Sequence, residues 1–194
     1  MKTDNVLEYD TEEMVAADKN CLWHRLKPHK LFQMQEQMVI VEGKGLMVTD
    51  IRGNEYLDVT SGGVWSVMVG YGRDSIAEAV CAQMKKMPYF AGAYGTIPAI
   101  KFAQKLLEKL PRHDKVYFSN SGSEANEKAF KLVRQASRIS SERKGKYKIM
   151  YRDRDYHGCT FGAMSSTGQA QRKEDYGPFL DGFVEFPHCC CYRC

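Results

Sequence analysis

The chain has 194 residues, of which 43% are hydrophobic, and a formal net charge of +4 from 28 basic and 24 acidic side chains. Such a length fits one or two globular domains that bury roughly 70% of their unfolded surface without a disulfide or metal staple. The mild charge, with no extended Lys/Arg run, excludes an electrostatic nucleic-acid binder, and no apolar stretch nears the ~20 residues of a membrane-spanning helix.

The opening MKTDNVLEYD is polar and lacks the apolar core of a secretory signal; the segment to about Asp18 is expected as an arm or short helix. Three cysteines are scattered (Cys21, Cys81, Cys159) and four crowd the far end (Cys189, Cys190, Cys191, Cys194). An odd count without a signal predicts reduced thiols in the cytoplasm. From Met38, MVIVE, LMVTD and EYLDV, joined by Gly43-Lys44-Gly45 and Arg52-Gly53-Asn54, predict a three-stranded antiparallel meander with glycines at positive φ. TSGGVWSVMVGYG follows, too rich in glycine and aromatics for a regular element.

Ser75 with Glu78 predicts a capped helix that buries Ile76, Val80, Met84 and Met87 and stops at Pro88. The next helix opens near Thr96 with Pro98 in its first turn, turns Ala99, Phe102, Leu106 and Leu110 inward, and ends at Pro111. KVYFS then reads as a strand, Glu124 to about Arg138 as a helix, YKIMYR as a strand, and Thr160 to Ser166 as a short helix. This alternation suits parallel β-α units.

Two places carry chemistry. In VYFSNSGSEANEKAFKLVR, Ser121 and Glu124 form a capping box, and Gly122 lets a ligand approach the main chain. The amides of Gly122, Ser123 and Glu124 would leave the helix start unpaired and, with the helix dipole, make an anion site to which the Ser121 and Ser123 hydroxyls add donors. The spacing is not that of a nucleotide P-loop, and no GxGxxG follows a strand. The same box also caps helices that hold no ligand. After YKIMYR, Tyr156-His157-Gly158 falls at a strand end, where open α/β sheets bind ligands; Tyr156 offers a flat face and Gly158 leaves room beside it. Phosphate and ring together point to a phosphorylated aromatic cofactor.

SNSGSEANEKAFKLVRQ, YHGCTFGAMSSTG and GNEYLDVTSGGVWSVMVGYGR, in this order, resemble the class III, fold-type-I aminotransferases that include the ω-amino-acid transaminases. The resemblance runs from about Leu31 to the end. It implies an α/β chain: residues 1–65 as an arm and β-meander of the small domain, and 66–194 as the first part of a mostly parallel-sheet, cofactor-binding large domain. It also implies pyridoxal 5′-phosphate. Ser121, Gly122 and Ser123 match the phosphate cup, Tyr156 the ring that stacks on the pyridine, followed by His157 and Gly158, and Trp65 an aromatic wall of the substrate pocket. Tyr89, Phe90 and Tyr94 fall where the family borrows pocket residues across a homodimer interface. Phe118–Gln135, Gly158–Gly177 and PHCCCYRC are most similar to the taurine-using branch, which implies taurine as donor, pyruvate as acceptor, and alanine and sulfoacetaldehyde as products.

The family's cofactor-holding lysine, its aspartate for the pyridine nitrogen and its acceptor-binding arginine match no position here. The catalytic set is therefore expected outside the chain, which reads as the N-terminal portion of an enzyme and as inactive alone. Other readings are a different class III ω-amino-acid aminotransferase or aminomutase, a non-catalytic cofactor-binding or dimerisation fragment, and a zinc module on Cys191, Cys194 and His188 that lacks a second ligand pair.

Overall fold

The computed structural model describes residues 9–25 and 27–192, which form two compact units, within 1–94 and 95–194. Among the described residues no helix is long and apolar enough to cross a membrane, and Cys21, Cys81, Cys159, Cys189 and Cys190 are free thiols; Cys194 lies outside the described residues.

In the first unit, helix α1 (Thr11–Cys21) starts where Asp10 accepts a hydrogen bond from the Glu13 amide at 2.8 Å, and buries Val15. Helix α2 (His29–Met34) buries Phe32, whose carbonyl accepts from the buried Gln37 amide group at 2.6 Å. The meander follows as strands β1 (Ile40–Lys44), β2 (Met47–Asp50) and β3 (Glu55–Leu57), antiparallel in the order β1-β2-β3. Its register pairs Gly43 with Val48 and Val48 with Tyr56, as the turns predict. Gly45 and Gly53 take the expected positive φ, but Gly43 does not. Gly43 is bare for a different reason: the Tyr71 ring lies on it, so an added Cβ would come within 2.6 Å of Cγ.

Asp50 ends β2 with its carboxylate almost buried, accepting from the Arg52 and Asn54 amides, the Asn54 side chain and the Tyr56 hydroxyl at 2.8–3.0 Å. Those donors, Asn54 foremost, hold its pKa down at about 2.

Helix α3 (Asp74–Lys86) begins one residue before the predicted cap: Arg73 is the N-cap, and no side chain completes the Ser75–Glu78 box. Its expected buried stripe is also corrected, since Ile76, Val80 and Met84 are all more than half exposed. A periodic stripe marks the face that would be covered, not whether a cover is present; among the described residues of this unit no helix or strand packs broadly on α3.

The second unit holds α4 (Ile97–Lys109), α5 (Gly122–Ile139), β4 (Ile149–Arg152), α6 (Phe161–Ser165) and β5 (Phe183–Phe186). Helix α4 has Pro98 in its first turn as predicted, but its inward face is only partly covered; Phe102 is exposed and stacks on Phe118 at 5.6 Å. Among the described residues no strand pairs with KVYFS, which forms no ladder, and the Phe118 carbonyl accepts from Lys128 Nζ at 2.6 Å. β4 and β5 pair in parallel, Ile149 opposite Phe183 and Arg152 opposite Phe186, so the parallel β-α expectation holds with a strand, FVEF, that the chain-order reading passed over.

Candidate functional site

The site grows from the start of α5. Ser121 is its N-cap in extended conformation, and its Oγ accepts from the Glu124 amide at 3.2 Å while Glu124 Oε2 accepts from the Asn120 amide at 2.9 Å. The predicted box is therefore formed, and it corrects the count of open donors. The Glu124 amide is taken, leaving those of Gly122 and Ser123, the first two helical residues, with no intrahelical carbonyl ahead of them. A Cβ on Gly122 would meet no atom within 4 Å, so the space beside Gly122 is open. The Ser121 O–H remains a donor. An anion held here is held by amides and the dipole, because Glu124 places a negative charge at the same helix end.

Ser123 does more than line this mouth. It is buried, and its Oγ accepts from the Cys159 amide at 3.0 Å, which ties α5 to the loop after β4. Gly158 allows this approach. At φ +137° an added Cβ would lie within 2.9 Å of Ser123 Cα and 2.8 Å of the Ala163 methyl. Its role is thus close packing of loop on helix, in place of the predicted room beside a ring. Asn126 adds a second tie, donating to the His157 carbonyl at 2.5 Å, and the His157 amide donates to Thr167 Oγ1 at 3.1 Å. His157 contributes its backbone to the architecture.

Behind the loop lies the most buried part of the second unit, and it is largely hydroxylic. Ser165, Ser166 and Thr167 are each at most 2% exposed. Ser165 Oγ donates to the Phe161 carbonyl at 2.6 Å and accepts from the Leu180 amide at 3.1 Å; Ser166 Oγ and Thr167 Oγ1 donate to the Ala163 carbonyl at 2.8 and 3.2 Å. Each of these three hydroxyls has a partner, as the cost of leaving one unpaired favours. Upstream, Arg152 grips Asp155 through two bonds of 2.9 and 3.0 Å, and this pairing lowers the Asp155 pKa.

These anchors leave Tyr156 half exposed, on the same loop whose next residues touch the start of α5. One face of its ring carries the Arg172 guanidinium, 4.8 Å from the centroid, and Arg172 Nε is itself held by Gln169 Oε1 at 2.5 Å. The predicted residues Ser121, Gly122, Ser123, Tyr156, His157 and Gly158 are therefore brought together within one unit. Two residues that sequence reasoning missed complete it. Arg172 backs the ring, and Glu127 accepts from Thr160 Oγ1 at 2.6 Å and the Ala163 amide at 3.2 Å, capping α6. Nothing local to either residue signals this; Glu127 meets Thr160 33 positions along the chain.

The other predicted pocket residues belong to the first unit. Trp65 is 79% exposed on the glycine-rich loop after β3, and Tyr89, Phe90 and Tyr94 are exposed, the last two meeting edge-on at 5.3 Å.

Comparison with known proteins gives this arrangement a family. Residues 31–193 match the aminotransferase class-III family. The chain is 52% identical over 185 residues to a taurine–pyruvate aminotransferase of Rhodobacter capsulatus and 54% over 186 residues to a hypotaurine/taurine–pyruvate aminotransferase of Paracoccus denitrificans, each time 95% of this chain and 40% of the relative. It thus spans about 40% of the length of these curated relatives. An aminotransferase structure from Bacillus anthracis superposes with a TM-score of 0.87 at 42% identity, over 100% of this chain and 41% of that one. An (S)-enantioselective ω-transaminase from Thermomicrobium roseum does so with 0.87 at 31%, over 93% and 41%. The chain belongs to the class III aminotransferases, with the fold-type-I α/β architecture of that family.

Proposed function

We propose that this chain supplies the cofactor-anchoring part of a pyridoxal-phosphate-dependent transaminase that moves an amino group from taurine to pyruvate, leaving alanine and sulfoacetaldehyde. The reading rests on one juxtaposition: two open amides at the start of a long helix beside an exposed aromatic ring, locked together through Ser123 and Gly158. The open space at Gly122 fits a phosphate, and the half-exposed Tyr156 fits a planar ring. Taurine and pyruvate are favoured by the relatives that match at 52–54% identity.

In this reading Gly122 and Ser123 hold the phosphate through N–H groups and the Ser121 hydroxyl adds a donor. Tyr156 stacks on the ring, and Arg172, Asn126 and Thr167 keep it in place. Once bound, the cofactor supplies an aldehyde for the donor amine and an electron sink for the bond being broken. Trp65 forms a pocket wall, while Tyr89, Phe90 and Tyr94 are lent across a homodimer. Residues 1–65 belong to the small domain and 66–194 to the large one, in a cytoplasmic enzyme. The residue that bonds the cofactor covalently is assigned to no position here.

The test is made on the full-length protein. Cofactor remaining after gel filtration is compared between parent and Gly122→Val, and alanine formation from taurine and pyruvate is followed. Equal retention would remove the phosphate-cup assignment; alanine formed from β-alanine but not from taurine would remove the donor.

A further inference from the structure

Residues 58–72 of the first unit form a loop held in an unusual backbone. Ser61 and Trp65 have φ of 51° and 58°, and Gly62, Gly63, Gly70 and Gly72 are also positive. For a tryptophan this region is a genuine outlier, one that persists only where surroundings enforce it. The side chain so placed is left 79% exposed rather than packed, although burying that ring is the ordinary outcome.

The enforcement is visible. Asp58 Oδ1 accepts from the Thr60 amide at 2.9 Å and the Thr60 hydroxyl at 2.7 Å; Oδ2 accepts from the Gly62 amide at 2.5 Å and the Tyr71 hydroxyl at 2.6 Å. Thr60 passes the constraint on, its Oγ1 accepting from the Gly63 amide at 3.0 Å and its carbonyl from the Trp65 amide at 2.9 Å. Tyr71 is fixed in turn. Its backbone exchanges two hydrogen bonds with Gly45 in the β1–β2 turn, at 3.1 and 2.8 Å, and its ring rests on Gly43. These donors, Tyr71 foremost, keep the Asp58 carboxyl well below the usual carboxylate range, so it is a fixed charge throughout the neutral range.

We infer that Asp58 and Tyr71 are positioning residues that latch this loop to the meander, hold Trp65 in its left-handed geometry, and thereby set the selectivity for the amino donor. The selectivity half rests on the proposed pocket role of Trp65. A wall residue on a loose loop adapts to donors of different length, whereas one on a latched loop discriminates between them. The latch is a carboxylate reading backbone amides, so its loss frees the loop without emptying a core.

Trp23 is the other tryptophan of these 194 residues, so in the full-length protein Trp23→Phe, with any tryptophan outside them likewise replaced by Phe, leaves Trp65 as the sole fluorescent reporter. In that background the anisotropy and acrylamide quenching of Trp65 are compared for parent, Asp58→Ala and Tyr71→Phe, with far-UV circular dichroism to verify the fold. Anisotropy should fall and quenching rise in both variants, more for Asp58→Ala. Tyr71→Phe loses one hydroxyl and carries the test if Asp58→Ala does not fold. In the full-length enzyme the same variants should raise KM for taurine at least threefold, on the order of the loss of one hydrogen bond, at near-parent kcat, and narrow its preference over a longer ω-amino acid. Unchanged anisotropy with the fold intact overturns the latch. Equal loss of kcat and kcat/KM for every donor overturns the selectivity role, being the mark of a merely structural defect. If the loop loosens while Trp65→Ala leaves every donor's KM unchanged, the pocket wall is the failed premise and the selectivity claim falls with it.

Discussion

The loop after β3 and the loop after β4 carry the two sets of candidate residues, and they are held by different chemistry. In the first, a single carboxylate, Asp58, collects four donors and leaves residues 62–66 exposed. In the second, neutral groups share the task. Ser123, Asn126 and Thr167 each bind the loop backbone, and residues 165–168 behind it are buried. A carboxylate can organise a turn while remaining near water, where its charge costs little; hydroxyls can be buried because each is paired. The first plan leaves a loop sensitive to one side chain. The second spreads the load, and its weak point is the one position where two backbones meet without a Cβ between them.

The largest effect should therefore come at that position. Gly158→Ala adds a methyl within 2.9 Å of Ser123 Cα at a φ of +137°. Backbone strain of about 1–3 kcal/mol and overpacking of about 1–3 kcal/mol act together. Urea unfolding should show a clearly lower midpoint at unchanged slope. Gly122→Val is the matched contrast, since the added side chain enters open space: stability should shift by less than about 1 kcal/mol while cofactor retention collapses. If the two variants behave alike, the division between packing glycine and binding glycine is wrong.

Tyr156 sharpens the comparison on the ligand side. Loss of a stacking ring is worth about 0.5–1.5 kcal/mol beyond area burial, so Tyr156→Ala should weaken cofactor affinity several-fold and Tyr156→Phe much less. Arg172→Met, which removes the cation from the ring's other face, should fall between them, about twofold to fivefold by the usual strength of an exposed cation–π pair. Absorbance titration with the cofactor orders all three. An Arg172→Met effect as large as Tyr156→Ala would mean the guanidinium touches the ligand itself.

What the sequence made legible was local. The Ser121–Glu124 box lies within four consecutive residues, and the meander is written in alternating apolar residues and Gly45 and Gly53 turns; both formed as read. What it hid was tertiary. Asp58 resembles any strand-end acid until Tyr71, 13 residues on, closes on it. Ser165-Ser166-Thr167, at the end of the predicted short helix, is polar by composition and is the most buried stretch of its unit. The apolar stripe of α3 was legible as a pattern, but the pattern carries no information on which polypeptide lies over it.

A smaller effect, confined to one turn, is expected from the other carboxylate hub, and it separates the two plans by acid. Asp50 faces Arg52, Asn54 and Tyr56, and its folded pKa of about 2 lies below the ordinary value of 3.8. A depressed pKa means the folded state binds its proton later than the unfolded state does. The contribution is thus fully present above about pH 4 and is lost as pH falls through the folded value near 2. Tyr56 runs the opposite way: its bond to Asp50 raises its pKa, so that share is present below about pH 10 and lost as pH rises through the folded value. Ser123, Asn126 and Thr167, which hold the second loop, do not titrate in this range, and its one depressed carboxylate, Asp155, is paired with Arg152. Two local probes would read this, backbone amide exchange at Asn54 in the meander and at His157 in the second loop. Between pH 4 and 2, protection at Asn54 should fall more steeply than at His157, and Asp50→Asn should remove that excess slope by lowering protection at Asn54 already at pH 7, where the carboxylate's contribution is fully present. Parallel loss at both amides that persists in Asp155→Asn would show that general charge repulsion, and not the Asp50 hub, governs acid unfolding.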